Sequence, residues 1–146
     1  MTQRHFVQTG LFFITTNTKD RVPYFSDPAY ARAAVETLYE IQYLYPFYLY
    51  SFVIMPNHCH FLLRVPERGY LSKIMHAFKR GTSFTIGKGP IWQPRFFVRL
   101  VTDDPYAFLK YIHRNPTKAG LCEAPEDYPW SSASGRWDIH EFGWDE

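Results

Sequence analysis

The stretch Phe47-Tyr48-Leu49-Tyr50-Ser51-Phe52-Val53-Ile54-Met55-Pro56-Asn57-His58-Cys59-His60-Phe61-Leu62-Leu63-Arg64-Val65 decides the fold. Phe47 to Met55 is nearly continuously apolar and rich in aromatic rings, as expected of a central strand covered on at least one face. Pro56-Asn57 is turn chemistry, so His58 to Val65 reads as the second arm of a hairpin. Side chains alternate along a strand, which puts His58 and His60 on one face and Cys59 and Phe61 on the other. Two imidazoles projecting from one face of a rigid strand are a natural start for a divalent-metal site. A strand-borne His-x-His pair also occurs in ordinary structural settings, so the pair alone leaves both readings open.

Working outward, Gly10 to Thr16 reads as a strand ended by the polar turn region Asn17 to Arg21. Asp27-Pro28 places an N-cap before a proline in the first helical turn. Ala31, Ala34, Val35, Leu38 and Ile41 then keep helical spacing. Beyond the hairpin, a helix is expected from about Leu71 to Thr85, with an apolar stripe of Leu71, Ile74, Met75 and Phe78. Lys73, His76 and Arg80 form another of its faces. Gly87-Lys88-Gly89-Pro90 is a loop, and Trp92 to Val101 reads as a fourth strand. Asp104-Pro105 caps a third helix carrying Tyr111, expected to end near Asn115 because Pro116 disfavours helical geometry in the residue before it. The tail from about residue 122 is loop-rich, contains Trp130, Trp137 and Trp144, and is expected to wrap back over the domain. The order strand, helix, strand, strand, helix, strand, helix predicts an α+β, ferredoxin-like (RRM-like) sandwich. Its antiparallel sheet has about four strands, with helices on one face or on both.

Composition sets the outer bounds. A chain of 146 residues suits one domain, 1–146, large enough to bury a core, and 46% hydrophobic content excludes a disordered polymer. Aromatic residues make up 19%, which fits both a sheet-rich core and a surface that stacks on unpaired bases. The net charge of +2 provides no global field for nucleic acid, so any basic footprint is local. Cys59 and Cys122 are too few for a disulfide framework, which fits a reducing cytoplasm. The start, Met1-Thr2-Gln3-Arg4-His5, leads into an apolar run too short for a signal peptide, and Tyr43 to Met55 is short of a membrane span. The expectation is a cytoplasmic protein with no membrane partner.

A second segment, Tyr111-Ile112-His113-Arg114-Asn115-Pro116, pairs with the histidine motif. Together with Phe12-Phe13-Ile14-Thr15, Met75-His76-Ala77-Phe78-Lys79, Ile91-Trp92-Gln93-Pro94-Arg95-Phe96-Phe97 and Asp127-Tyr128-Pro129-Trp130-Ser131-Ser132, it resembles the single-tyrosine HUH endonucleases of insertion-sequence type. Within these it resembles the REP-associated tyrosine transposases. The likeness runs through most of the chain, and the Pro-Asn-His-x-His and Tyr-Ile-x-x-Asn-Pro elements in this order are specific as a pair. The resemblance implies the same ferredoxin-like architecture. It also implies a metal-dependent single-stranded DNA endonuclease and strand transferase acting on hairpin-forming DNA through a 5′-phosphotyrosine intermediate. Tyr111 would be the nucleophile, and His58, His60 and Asn115 would hold Mg²⁺ or Mn²⁺. It implies association with the nucleoid through DNA, as a monomer or as a homodimer in which one subunit's tyrosine helix serves the other.

The residues on their own leave rivals open. Tyr111 and Asn115 are four apart and share a helix face, and a neutral amide oxygen suits a hard cation. In the insertion-sequence branch that position is usually glutamine; Asn115 is one methylene shorter and precedes a proline, so it also reads as a helix end. Tyr111 is one of 11 tyrosines, and taken alone it reads more readily as an ordinary half-buried ring; the surrounding motif is what favours the nucleophile. Lys73, Lys79 and Arg80 on one helix, Arg95 and Arg99 on a strand, and Arg114 and Lys118 after the tyrosine cluster locally and either track a phosphate backbone or form solvated faces, with Lys79 and Arg95 favoured as DNA contacts by the family motifs they match. A non-catalytic single-stranded nucleic-acid binding module is one alternative. A zinc hydrolase is the other.

Overall fold

The computed structural model describes residues 9–66 and 70–142. Met1 to His5 and Trp144 lie outside the described residues. Seven principal elements follow in the expected order: β1 (Gly10–Asn17), α1 (Pro28–Glu40), β2 (Tyr48–Met55), β3 (His58–Val65), α2 (Leu71–Ile86), β4 (Phe97–Leu100) and α3 (Pro105–Lys118). The four strands form one sheet in the order β2-β3-β1-β4, with every neighbouring pair antiparallel. This is the ferredoxin-like α+β arrangement, with helices on both faces.

The caps act where the sequence put them. The Asp27 carboxylate accepts from the Ala29 N–H at 2.9 Å and that of Asp104 from the Tyr106 N–H at 3.0 Å. Each cap satisfies a backbone donor that the first turn leaves orphaned.

Two apolar layers sandwich the sheet. Phe12, Ile14, Phe52, Ile54, Cys59, Phe61 and Leu63 point into one layer, closed by Ala31, Val35 and Leu38 of α1 and Leu71, Ile74 and Phe78 of α2. Leu11, Val53, Met55 and Leu62 point the other way, under Ile112 of α3 and Tyr128 of the tail. β2 is therefore covered on both faces. A register shift between Leu49 and Ser51 changes its phase, so Leu49 and Phe52 share a layer despite their odd spacing.

The tail wraps back as expected. Ile54 N–H donates to the Trp130 carbonyl at 2.8 Å, Val53 bridges Ser131, and the Tyr128 hydroxyl donates to the Ile54 carbonyl at 2.7 Å. His113 lies 2.7 Å from Ser132 Oγ, and Ser132 Oγ accepts from the Phe52 N–H at 3.0 Å.

Two expected boundaries are corrected. The fourth strand does not span Trp92 to Val101; the ladder covers only Phe97–Leu100, and Trp92 makes an isolated bridge with Thr18. Pro94 supplies no N–H to a ladder, and the Trp92 ring is committed to the core, where its Nε1–H donates to Thr82 Oγ1 at 2.7 Å. Likewise, α3 does not end near Asn115 but continues to Lys118 with Pro116 inside it. One missing N–H in the last turn is tolerated because the Pro116 ring is buried, while Ala119 N–H still donates to the Asn115 carbonyl at 3.1 Å. Asn115 thus stays helical, one turn beyond Tyr111. No helix among the described residues is long and apolar enough to cross a membrane.

Candidate active site

The histidine strand β3 lies between β2 and β1, and its site face is the one under α3. Cross-strand pairing sets Asn17 opposite His58 and Thr15 opposite His60. The two imidazoles stand 4.9 Å apart between ring centroids. His60 is 5% exposed. Its Nδ1 is 2.9 Å from Thr15 Oγ1, and its ring stacks on Phe13 at 5.3 Å. His58 Nδ1 is 2.9 Å from Asn57 Oδ1. When each ring carries its proton on Nδ1, both bonds hold the orientation and leave the ring's lone pair on Nε2.

Electrostatics favour the neutral rings. Burial pulls the His60 pKa down from 6.5 to about 4, helped by the charge of His58 and partly opposed by a bond to the Ile14 carbonyl. Burial also lowers His58, as does the Arg21 guanidinium nearby, against a hydrogen bond to the Asn115 side chain. Arg21 Nη1 donates to Asn17 Oδ1 at 2.7 Å. Asp20 and Arg21 both hold positive φ, 56° and 57°, a conformation that costs about 1 kcal/mol or more per non-glycine residue.

Helix α3 brings the remaining motif residues to this face. The Tyr111 ring is 5.5 Å from His60 and 5.9 Å from Phe13, edge-on to both. It is 48% exposed, so the phenol is accessible from solvent. Asn115 is half-buried one turn later, within hydrogen-bonding reach of His58. Cys59 is fully buried among the apolar residues of the opposite layer, and burial pushes its thiol well up. Among the described residues, no group of three His, Cys, Asp or Glu assembles. Two neutral imidazoles and a carboxamide oxygen are nevertheless a donor set suited to a divalent cation that keeps open positions.

The basic residues form two groups. Arg114 and Lys118 line a cavity of about 390 Å³ together with Tyr111, Lys110 and Asp104. Lys79 and Arg80 line a second, of about 350 Å³, with His76, Trp92 and Gln93. The Lys79 ammonium donates to the carbonyls of Gln93 (2.7 Å) and Arg95 (3.3 Å), and burial lowers its pKa. Lys79 therefore pins the segment that carries Arg95, and Gln93 N–H in turn donates to the Asn17 carbonyl at 2.9 Å, beside His58. His113 points away from this face toward Ser132 and holds the tail.

Sequence reasoning did not single out Thr15, Asn17 and Arg21 as site residues. Thr15 and Asn17 share the β1 face with Phe13, but their meeting with the histidines depends on a β1–β3 register that no local signal prints. Arg21 stood in an unremarkable polar turn.

Comparison with known proteins gives the family and matches the fold. The model of a family described as "Transposase IS200 like" matches residues 10–115. A Haemophilus influenzae protein named as a REP-associated tyrosine transposase is 31% identical, over 89% of this chain and 83% of that protein. The REP-associated tyrosine transposase of Escherichia coli K12 is 26% identical, over 89% and 80%. Among solved structures, a REP-associated tyrosine transposase bound to a REP hairpin superposes with a TM-score of 0.79. It is 24% identical, over 98% of this chain and 91% of that one.

Proposed function

The chain belongs to the IS200-like transposase family, and from that premise we propose that it cleaves and rejoins single-stranded DNA next to hairpin-forming sequence through a 5′-phosphotyrosine link at Tyr111. The observation that carries this reading is the meeting of Tyr111, His58, His60 and Asn115 on one face, although 51 residues separate His60 from Tyr111. The hairpin in the superposed relative supports hairpin DNA as the partner.

The chemistry follows from the groups present. Tyr111 Oη forms a bond to phosphorus as the bond from phosphorus to the 3′ oxygen breaks; the phenol loses a proton and the departing 3′ oxygen gains one. The phosphotyrosine conserves the bond energy, and attack by a 3′ hydroxyl reverses the step and rejoins a strand without a nucleotide cofactor. His58, His60 and Asn115 would hold a Mg²⁺ or Mn²⁺ ion, which when bound neutralises charge on the scissile phosphate. Thr15 and Asn57 hold the imidazoles in orientation, and burial keeps them neutral and ready to ligate. Arg114 and Lys118, beside Tyr111, attract the flanking phosphates; Lys79, Arg80 and Arg95 would continue the track round the sheet edge at Gln93.

Labelled REP-type hairpin DNA with unpaired arms tests the reading. Wild type should leave an adduct that survives denaturation, and excess chelator should abolish it. Tyr111→Phe should bind the hairpin normally and leave none. A covalent adduct from Tyr111→Phe would move the nucleophile elsewhere, and binding without any adduct from wild type would make the protein a binding module.

A further inference from the structure

Helix α3 packs mainly on β2 and β3, and reaches β1 and β4 through the Phe108 and Tyr111 rings. The β1–β4 half carries side chains in cross-strand rows. Val53, His60, Thr15 and Phe97 form one row, and Leu62, Phe13 and Arg99 lie in the next. Residues directly opposite on antiparallel strands share a face. Phe97 and Arg99 therefore project on the same side as the histidines, and the Arg99 guanidinium confirms it, lying 5.4 Å over the Phe108 ring of α3.

Phe97 stands out in this setting. It is 63% exposed, a large apolar ring in the same cross-strand row as the buried His60. Burial cannot explain it, since nothing among the described residues covers it. An apolar cavity of about 230 Å³, lined by Phe13, Ala107, Phe108 and Tyr111, opens on the same half of the face and links it to the tyrosine. An exposed ring flanked by a cation on an open pleated face is the arrangement that stacks unpaired bases while holding their phosphates.

We propose that Phe97 and Arg99, with Thr15 and Asn17 as the floor, form a platform for the unpaired strand next to the scissile phosphate: one base stacks on Phe97 and an adjoining phosphate pairs with Arg99. The proposal rests on the reading of this face as the DNA-cleaving site. It makes Phe97 a positioning residue that sets how the strand enters, with no part in bond making.

The test uses the full chain in excess chelator, so that no cleavage intervenes, and two probes. The first is a mixed-sequence single strand bearing 2-aminopurine at one position at a time; the second is the same hairpin with no unpaired arms. Phe97→Ala should weaken single-strand binding roughly 10-fold or more, as loss of one stacked base does, and abolish 2-aminopurine quenching at one or two positions. Phe97→Leu, which keeps most of the bulk but has no π-face, should behave like alanine, and Phe97→Trp should restore both signals. Binding of the armless hairpin should not change. Phe97→Leu binding as tightly as wild type, or equal loss on both probes, would overturn the platform. So would sedimentation showing that Phe97→Ala splits a dimer, because the ring would then belong to an interface between copies. Tyr111→Phe in the adduct assay decides the nucleophile separately, so failure of that reading and failure of the platform give different results.

Discussion

His60 offers a quantitative test of how the site is held. Its pKa is pulled from 6.5 to about 4, chiefly by burial, so between those values the unfolded chain binds a proton that the folded chain refuses. Stability contributed by the neutral buried ring is present above pH 6.5, falls as pH drops through the window, and levels off below about 4. The full gap corresponds to about 3 kcal/mol, and between pH 7 and pH 4.5 about 2.5 kcal/mol of it is lost. His60→Gln removes this titration while leaving a polar side chain beside Thr15. Urea unfolding of the metal-free protein, in chelator at pH 7 and pH 4.5, measures the effect. The variant should lose about 2.5 kcal/mol less stability than wild type over that interval, whatever its stability at pH 7. His113 titrates in both proteins and cancels in the difference, while the part of the His58 titration coupled to His60 belongs to the measured effect. Parallel losses, differing by less than about 0.5 kcal/mol, would refute the argument that burial holds His60 neutral.

Other perturbations separate the roles of neighbouring residues. Cys59→Ser places a hydroxyl in the apolar layer, so it should cost about 1–3 kcal/mol in thermal or urea unfolding while metal-dependent cleavage stays within a few-fold. Lys79→Ala should make the salt dependence of single-strand binding shallower by about 0.7, one phosphate contact, and should loosen protection of the Gln93 segment in hydrogen exchange. Asn115→Ala should give a partial cleavage defect that raised Mn²⁺ relieves, read from adduct yield against metal concentration. Ser132→Ala strands the buried Phe52 N–H and frees His113, so it should destabilise by about 1–3 kcal/mol with hairpin affinity unchanged.

Much of this was legible in the residues because local rules fix local structure. The period-2 alternation of His58 to Phe61 put the histidines on one face and Cys59 on the other, and the Asp-Pro pairs located both helix starts. What stayed hidden was relational. Nothing in the Asn17 to Arg21 turn marks its approach to His58, because that depends on the β1–β3 register. Trp92 looked like a strand residue, since a ring that serves a pleated face serves a helix-packed core as well. Pro116 looked like a stop, although its burial inside the last turn of α3 is what leaves Asn115 helical beneath Tyr111. Lys79 showed only its charge; the two carbonyls it holds come from a segment whose course the sequence does not specify.

The clasp of the tail on β2 has a consequence for how the chain comes to be folded. The Ser132 bonds to Ser51 and Phe52 and the Trp130 bond to Ile54 join residues roughly 75–80 positions apart, and β2 is an outer strand of the sheet. Until residues 128–132 arrive, the hydrogen-bonding edge of an aromatic, uncharged strand faces solvent. During synthesis that edge is a template for pairing with another nascent chain, and ordering it requires closure of a long loop, a slow step. The segment that finally covers it, Tyr128-Pro129-Trp130-Ser131-Ser132, acts as a late seal: this edge of the sheet is closed to pairing with another chain only when residues 128–132 have been made.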